Sequence, residues 1–404
     1  AKLNLIKGAT TGTITASIGG TANALTSLNT GNSDAITMTL DAGTVDAADL
    51  IALVNKTSVQ LASTAVSTIT GTLTEINAVI AADGGTIDID TNFNTTIEDT
   101  TIEASALTTM SGLTTGLVTA SAATITGTTA ELLAMIADNN AASGIATETD
   151  VNFGLDAGST TTVTQILSLH DATTGVITAV DITGTHTQIV ALANNARPTL
   201  ENATGTIQVN GANVGETMVM TDVGTKADLT IFGNGGIDTI FGAQGDDTII
   251  GGTGNDILKG AAGTDTFRIT DVETNGTDVL YEFTSDGDAD GVGAGRDKIE
   301  FSAADLQGVT GFANYTGTGN AVTIKTVGGG PDIKAEFITG AGKTSADAEG
   351  TQAAFIFNQT TGTLSFDADG SGTESTIALV KVYSDEIESD VVQDLLAADL
   401  NFIA

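Results

Sequence analysis

Apolar and polar residues follow two different spacings within each repeated segment of the first half of the chain. Three segments match one another: STITGTLTEINAVIA (67–81), ATITGTTAELLAMIA (123–137) and VDITGTHTQIVALAN (180–194). Each begins with a short run rich in Thr and Ile, which is typical of a β-strand, and continues with apolar residues three and four positions apart, which are typical of one helix face. Each segment therefore predicts a short strand followed by a short helix.

The junction between strand and helix carries a signal for the start of a helix. A Gly ends each predicted strand, and a Thr follows it with Glu or Gln three residues later. In such a capping box, the two side chains satisfy free backbone N–H groups of the first helical turn. The pairs are Thr72 with Glu75, Thr128 with Glu131, and Thr185 with Gln188.

The spacing of these segments predicts a repeating architecture. Their glycines, Gly71, Gly127 and Gly184, are almost evenly spaced in the sequence, and we call this spacing the long period. Partial copies at 43–55, 100–110 and 161–169 indicate a structural unit near half of the long period. Helices this short are marginal alone and need neighbours to cover their apolar face. We therefore expect residues 1–200 to form a solenoid scaffold domain, with residues 201–232 as a connecting β segment.

A shorter period follows. Residues 233–268 read GNGGIDTIF GAQGDDTII GGTGNDILK GAAGTDTFR when they are cut every nine residues. Gly stands at places one and four, Asp at place six and an apolar residue at place eight. The pattern predicts a turn of about six residues and a strand of about three, since Gly permits the tight, closely stacked backbone. The apolar residues expected to point inward are Ile240, Ile249, Leu258 and Phe267, and the aspartates expected to lie in register are Asp238, Asp247, Asp256 and Asp265.

The charge balance narrows the classes of partner. The chain has 50 Asp and Glu against 13 Lys and Arg, a formal charge of −37 at pH 7. This excess argues against binding to nucleic acid or to anionic lipid, whose phosphates need Lys and Arg. Carboxylate and carbonyl oxygens are instead the ligands that calcium prefers. Cysteine is absent, which excludes disulfides and thiolate metal sites. No apolar run is as long as a membrane-crossing helix needs, so no transmembrane segment is predicted.

The nine-residue unit resembles the RTX repeat, G-G-x-G-x-D-x-U-x, of secreted bacterial proteins, and here of their S-layer and surface-structure members. The resemblance implies a parallel β-roll that binds Ca²⁺ between turns two units apart, through the carbonyls at places one and three and the Asp at place six. The first site would use Gly233, Gly235, Asp238, Gly251, Thr253 and Asp256. The second would use Gly242, Gln244, Asp247, Gly260, Ala262 and Asp265. This sequence departs from the pattern at place two, where Gly occurs only at Gly252.

A further calcium candidate lies at 286–297, DGDADGVGAGRD. Asp286, Asp288 and Asp290 stand at places one, three and five, and Asp297 stands at place twelve, which matches a twelve-residue calcium loop except that the last acid is not Glu. An acidic surface loop is the alternative interpretation.

The end of the chain, DLLAADLNFIA, resembles an uncleaved type I secretion signal. The expected fold is therefore mainly β: an N-terminal repeat solenoid of short strands and helices (1–200), a calcium-binding parallel β-roll (233–268), and a β-rich cap with that signal (269–404).

The sequence favours a structural role over catalysis. It has two histidines, His170 and His186, and neither an H-E-x-x-H nor a G-x-S-x-G motif. We expect a non-enzymatic, calcium-binding protein of the bacterial cell surface, an S-layer or filament subunit that assembles with itself after secretion, with a cell-surface polysaccharide as a further partner to consider. Two alternatives stay open: a monomeric secreted adhesin that binds a glycan or another cell, and a secreted hydrolase with an unrecognised site.

Overall fold

The computed structural model describes residues 2–138, 144–179, 181–201, 203, 206–223, 227–270, 272–284, 296–309, 321–324, 333–341, 343–344, 352–369, 376–383 and 395–403. Over these residues the protein is mainly β, with parallel sheets and few helices. Contacts between residues divide the chain into two compact units. The first comprises Ala1–Ser159 and Gln165–Thr178, and the second comprises Thr160–Thr164 and Ala179–Ala404.

The helices within these residues are α1 (Lys2–Ala9), α2 (Ala22–Thr26), α3 (Ala47–Val54), α4 (Leu73–Ala82), α5 (Ala104–Ser111), α6 (Thr129–Ala137), α7 (Val163–His170), α8 (His186–Glu201) and α9 (Ala303–Gly308). The strands up to residue 220 are β1 (Thr15–Gly20), β2 (Ala35–Leu40), β3 (Gly43–Asp46), β4 (Leu61–Ala62), β5 (Val66–Gly71), β6 (Ile87–Asp88), β7 (Asn94–Ile97), β8 (Thr101–Glu103), β9 (Leu117–Ala120), β10 (Thr124–Gly127), β11 (Gly144–Thr147), β12 (Asn152–Leu155), β13 (Thr160–Thr162), β14 (Ile177–Thr178), β15 (Asp181–Thr185), β16 (Ile207–Asn210) and β17 (Thr217–Val219).

The later strands are β18 (Leu229–Phe232), β19 (Thr239–Phe241), β20 (Thr248–Ile250), β21 (Ile257–Lys259), β22 (Thr266–Ile269), β23 (Asp278–Tyr281), β24 (Lys298–Ser302), β25 (Ala321–Ile324), β26 (Ile333–Gly340), β27 (Ala354–Asn358), β28 (Thr363–Asp367), β29 (Ile377–Val382) and β30 (Leu400–Ile403).

Three parallel sheets form the first unit, in the orders β1-β2-β4-β6, β3-β5-β7-β9-β11 and β8-β10-β12-β14. In the five-stranded sheet, Gly71 pairs with Ile97, and Ile97 pairs in turn with Ala120. Gly127, one long period after Gly71, lies a little beyond Ala120 and belongs to the neighbouring sheet. One long period therefore spans two successive strand pairings in one sheet and the connection to a strand of another sheet. The sequence distance between paired strands is accordingly near half of the long period, as the partial copies predict.

The predicted capping boxes are present. Thr72 Oγ1 accepts a hydrogen bond from Glu75 N, and Glu75 Oε2 accepts one from Thr72 N at 2.9 Å. Thr128 and Glu131 repeat the arrangement at α6, and Thr185 and Gln188 repeat it at α8. The helices then bury their apolar stripe: in α4, Ile76 and Val79 are fully buried. The strand, the Gly that ends it and the capping box therefore position each of these helices over the core, as the local pattern predicts.

Two long sheets form the second unit. One is parallel throughout, in the order β13-β15-β16-β18-β20-β22-β24-β30, and the other runs β17-β19-β21-β23-β29-β28-β27-β26-β25. From β16 to β24, successive strands alternate between the two sheets, so strands two apart in sequence are neighbours in space. Within the nine-residue repeats, each residue accordingly pairs with its counterpart two repeats later, for example Ile240 with Leu258.

The core between these strands consists of two columns of buried side chains. All of them are fully buried, and in each column the register pairs each residue with the next. The columns are Met218, Ile240, Leu258 and Leu280 in one sheet, and Ile231, Ile249, Phe267 and Ile299 in the other. The inward orientation predicted for place eight of the repeats is thus confirmed, and the same stacking continues on both sides of residues 233–268.

Candidate metal centre

The place-six aspartates stand in the turn just before each short strand. Asp238 and Asp256 are 0% exposed, and Asp247 and Asp265 are 1% exposed. Aspartate is rarely buried unless a partner compensates its charge. In the described residues, no cluster of three or more acidic or His side chains could hold a metal ion by itself. Backbone groups must therefore contribute to any site in these turns.

Hydrogen bonds join the aspartates in two rows. Asp238 N donates to Asp256 Oδ1 at 2.8 Å in one row, and Asp247 N donates to Asp265 Oδ1 at 2.9 Å in the other. Each carboxylate thus bonds to the turn that lies two repeats earlier. We name these bonded aspartates the carboxylate ladder. The pairing of turns two units apart, which the RTX resemblance implies, is the one that the structure shows.

The second carboxylate oxygen, Oδ2, differs in its hydrogen bonding between the two rows. Asp238 Oδ2 and Asp256 Oδ2 are buried and have no hydrogen-bond partner. Asp247 Oδ2 accepts a bond from Ala243 N at 2.7 Å. A buried, unpaired polar atom costs about 1–3 kcal/mol, and more when it is charged. The first row therefore has the greater need for a cation.

Glycine at place one leaves space in front of these oxygens. A Cβ on Gly233 would lie 2.7 Å from Asp238 Oδ2 and 2.3 Å from the carbonyl oxygen of Gly251. A Cβ on Gly242 would lie 2.6 Å from Asp247 Oδ2 and 2.4 Å from the carbonyl oxygen of Gly260. In each case the carboxylate of the same turn and a carbonyl of the paired turn face the same gap. This donor set, hard oxygens without nitrogen or sulfur, fits calcium.

A family model for the RTX calcium-binding nonapeptide repeat matches residues 232–267, in four copies. Residues 232–267 are RTX repeats. RTX repeats bind Ca²⁺ and indicate a secreted protein, so the predicted ion is confirmed. No curated protein and no solved structure matches the chain. Among the helices that the structure describes, none is long and apolar enough to cross a membrane.

The remaining predicted ligands of the RTX repeats are at place three. Gly235 and Thr253 form a parallel bridge, and the carbonyl of Thr253 accepts a bond from Gly236 N at 2.9 Å. Gln244 and Ala262 are both exposed in the other two turns. The structure therefore brings the place-three residues of the first site together directly, and their role as calcium ligands remains a proposal.

The backbone angles at place two show how the fold accommodates residues that replace Gly there. Gly252 has a φ of +99°, and Asn234 and Ala261 adopt similar values, +72° and +76°. Asn tolerates this left-handed region, whereas Ala is strained there by about 1–2 kcal/mol. The fold thus imposes the repeat conformation on Ala261 despite its side chain.

Burial raises the pKa of every aspartate in the ladder. For Asp247 the pKa rises to about 7 and for Asp265 to about 6, with desolvation as the main cause and neighbouring carboxylates adding to it. The pKa of Asp238 and of Asp256 is raised for the same main reason. A bound cation would oppose this effect, because it favours the ionised form.

The structure describes only one of the four aspartates predicted to form the twelve-residue calcium loop. Asp286, Asp288 and Asp290 lie outside the described residues. Asp297 is buried, its Oδ1 accepts a bond from Asp265 N at 2.9 Å, and its Oδ2 accepts one from Thr284 N at 2.8 Å. Asp297 therefore extends the second row of the carboxylate ladder, a role that its place in the loop pattern did not predict.

Sequence reasoning missed Asp278. It extends the first row, since Asp256 N donates to Asp278 Oδ1 at 2.9 Å. The signal was GTDVLY (276–281), which matches GNDILK (254–259) of the third repeat. The chain between Asp256 and Asp278 is longer than the chain between Asp238 and Asp256. Asp278 therefore does not lie a whole number of nine-residue repeats after Asp256, and the regular spacing does not reveal it.

Proposed function

We propose that this protein is a secreted, non-enzymatic structural protein of the bacterial cell surface, an S-layer or filament subunit that folds and assembles with itself when calcium fills the RTX repeats. The observation that carries the proposal is the buried carboxylate ladder, in which Asp238 Oδ2 and Asp256 Oδ2 lack a partner. At neutral pH and above, where these carboxylates ionise, such a centre favours folding where calcium is available.

The charge of the chain supports folding that depends on calcium. With a formal charge of −37, the extended chain repels itself, and the folded repeats bring carboxylates together out of water. Extracellular calcium modules have dissociation constants of about 10⁻⁴–10⁻³ M. Calcium at such levels outside the cell would stabilise the folded repeats by mass action, and its scarcity inside would leave them open for export.

The first unit supports a scaffold role. Its parallel sheets add one strand after another with a steady sequence spacing, and we propose that residues 1–200 form a solenoid in this way. We assign the ligands of the two calcium sites as predicted, with Gly233, Asp238, Gly251 and Asp256 carrying the first.

Negative-stain electron microscopy and light scattering of the full chain test the assembly. The protein would be compared in chelator and in about 1–10 mM calcium, at or above the dissociation constants of extracellular calcium modules. We expect monomers in chelator and sheets or filaments in calcium. Asp256→Asn should need more calcium to assemble, and Asp41→Asn, an equal charge change at an exposed position of the first unit, should not. Compact monomers under both conditions would refute assembly and favour the adhesin.

A further inference from the structure

The turn that precedes β23 reproduces the backbone contacts of an RTX turn, although it lies outside the four repeats. Gly254 N donates to the carbonyl of Asn275 at 2.8 Å, as Gly236 N does to the carbonyl of Thr253 at 2.9 Å. Val279 N likewise donates to the carbonyl of Asp256 at 2.7 Å, where Ile257 N donates to that of Asp238 at 2.8 Å. Residues 275–278 therefore pair with the third repeat as that repeat pairs with the first.

This turn has a buried side chain whose oxygen lacks a partner. Asn275 is 1% exposed, its Nδ2 donates to Asp278 Oδ2 at 2.8 Å, and its Oδ1 has no hydrogen-bond partner. A buried amide oxygen without a donor is unusual, because most buried polar atoms are paired. In the repeats themselves, place three is expected to contribute only its backbone carbonyl, so the amide of Asn275 is an additional donor of the hard type.

The adjoining repeat offers a second unpartnered oxygen. Asp256 Oδ2 is buried without a partner, and a Cβ on Gly251 would lie 2.4 Å from it, so the space in front of it is kept free of a side chain. Asp278 is 0% exposed and its carboxylate bonds back to Asp256 N. The Asp278 carboxylate thus links the two turns, because it accepts bonds from Asp256 N and from Asn275 Nδ2. Each turn also holds a buried oxygen without a partner, and among the described residues no Lys or Arg is hydrogen-bonded to these three side chains.

We propose that Asp256, Asn275 and Asp278 form an additional Ca²⁺ site, closed by the side-chain amide of Asn275 and lying where the RTX strands meet the C-terminal part of the chain. Asp278 pairs with Val380 of β29, and Thr277 Oγ1 donates to the carbonyl of Ala378 at 3.1 Å. An ion here would hold β23 in the geometry that β29 requires. The site rests on the proposed calcium-binding function of the repeats and extends it to residues that do not belong to them.

Counting bound calcium on the full chain, by isothermal titration calorimetry and flow dialysis, tests the site. Asn275→Leu replaces the amide with an apolar group of similar size, and Asp278→Asn keeps an oxygen for Asp256 N. We expect each variant to bind one calcium ion fewer than the unaltered protein. Asn401→Leu, whose amide donates to Glu300 outside the calcium turns, should bind the full number.

Two comparisons separate the outcomes. If Asp238→Asn loses an ion while Asn275→Leu and Asp278→Asn both keep the full number, the additional site is refuted and the repeat sites stand. If the unaltered protein binds no calcium, the proposed function fails together with the site. Hydrogen exchange gives an independent measurement: calcium should protect β29 in the unaltered protein and fail to protect it in Asp278→Asn, while protection of β19 and β20 is retained.

Discussion

Raising the pH should destabilise the RTX repeats when calcium is absent. Burial raises the pKa of Asp247 from 3.8 to about 7. The folded chain therefore keeps this proton at a pH where the unfolded chain has lost it. A raised carboxyl pKa thus gives a metal-free fold that is most stable below about pH 4 and loses stability as the pH rises through about 7.

The size of the effect follows from the pKa shift. One pKa unit corresponds to about 1.4 kcal/mol, so Asp247 alone should cost the metal-free fold about 4 kcal/mol by pH 8. Asp278 and Asp297, with pKa values raised to about 7 mainly by burial, act in the same direction. Since a domain is stable by about 5–15 kcal/mol in total, ionisation of two such residues should remove a large part of the stability of the metal-free repeats.

Hydrogen exchange of metal-free protein between pH 5 and 8, corrected for the intrinsic pH dependence of exchange, measures this directly. We expect the stability of β19–β22 to fall steeply over that interval. The first unit is an internal control: the pKa values of Glu75 and Glu131 are lowered by the capping N–H groups of Thr72 and Thr128, so their contribution changes only in more acidic solution. The pH dependence should weaken in Asp247→Asn. Repeats that are equally stable, or more stable, at pH 8 than at pH 5 would show that the buried carboxylates are not the cause.

Three other substitutions have defined expectations. In about 10 mM calcium, Asp238→Asn should lose about 1.4–2.7 kcal/mol of the stabilisation by calcium, the value for one site with a dissociation constant of about 10⁻³–10⁻⁴ M; urea unfolding with and without calcium measures it, and an equal loss in Asp41→Asn would contradict the assignment. Ala261→Gly should stabilise the repeats by about 1 kcal/mol, because it removes the strain of a φ of +76°; an unchanged or lower urea midpoint would count against that strain. Thr72→Ala should destabilise the first unit by about 1 kcal/mol through loss of the cap, whereas Thr72→Ser should retain it; equal unfolding midpoints for the two variants would exclude the capping box as a source of stability.

Local signals account for the features that the sequence predicted well. The capping boxes act over four consecutive positions, and the nine-residue repeat fixes a turn and a strand through backbone angles that Gly permits. These features do not depend on distant parts of the chain. The positions of Ile240, Ile249, Leu258 and Phe267, all fully buried, could therefore be predicted from place eight alone.

The extent of the carboxylate ladder could not be predicted in this way. Asp278 and Asp297 join it through hydrogen bonds from Asp256 N and Asp265 N, across connections that are longer than those within the repeats. A fixed period detects only turns of equal length, whereas strand pairing tolerates insertions in the connections. Asn275 could not be predicted either, because it belongs to no motif and only the fold buries it beside Asp278.

The sequence by itself determined the ion, the strand-and-helix units and the turns of the RTX repeats, since each depends on residue type and backbone geometry within one short segment. Tertiary structure alone decided how far the ladder continues beyond the repeats, and that the long period of the first unit spans two pairings and a step between sheets. The physical reason is that hydrogen bonding between parallel strands selects partners by position in space, and the length of chain between those partners is free to vary.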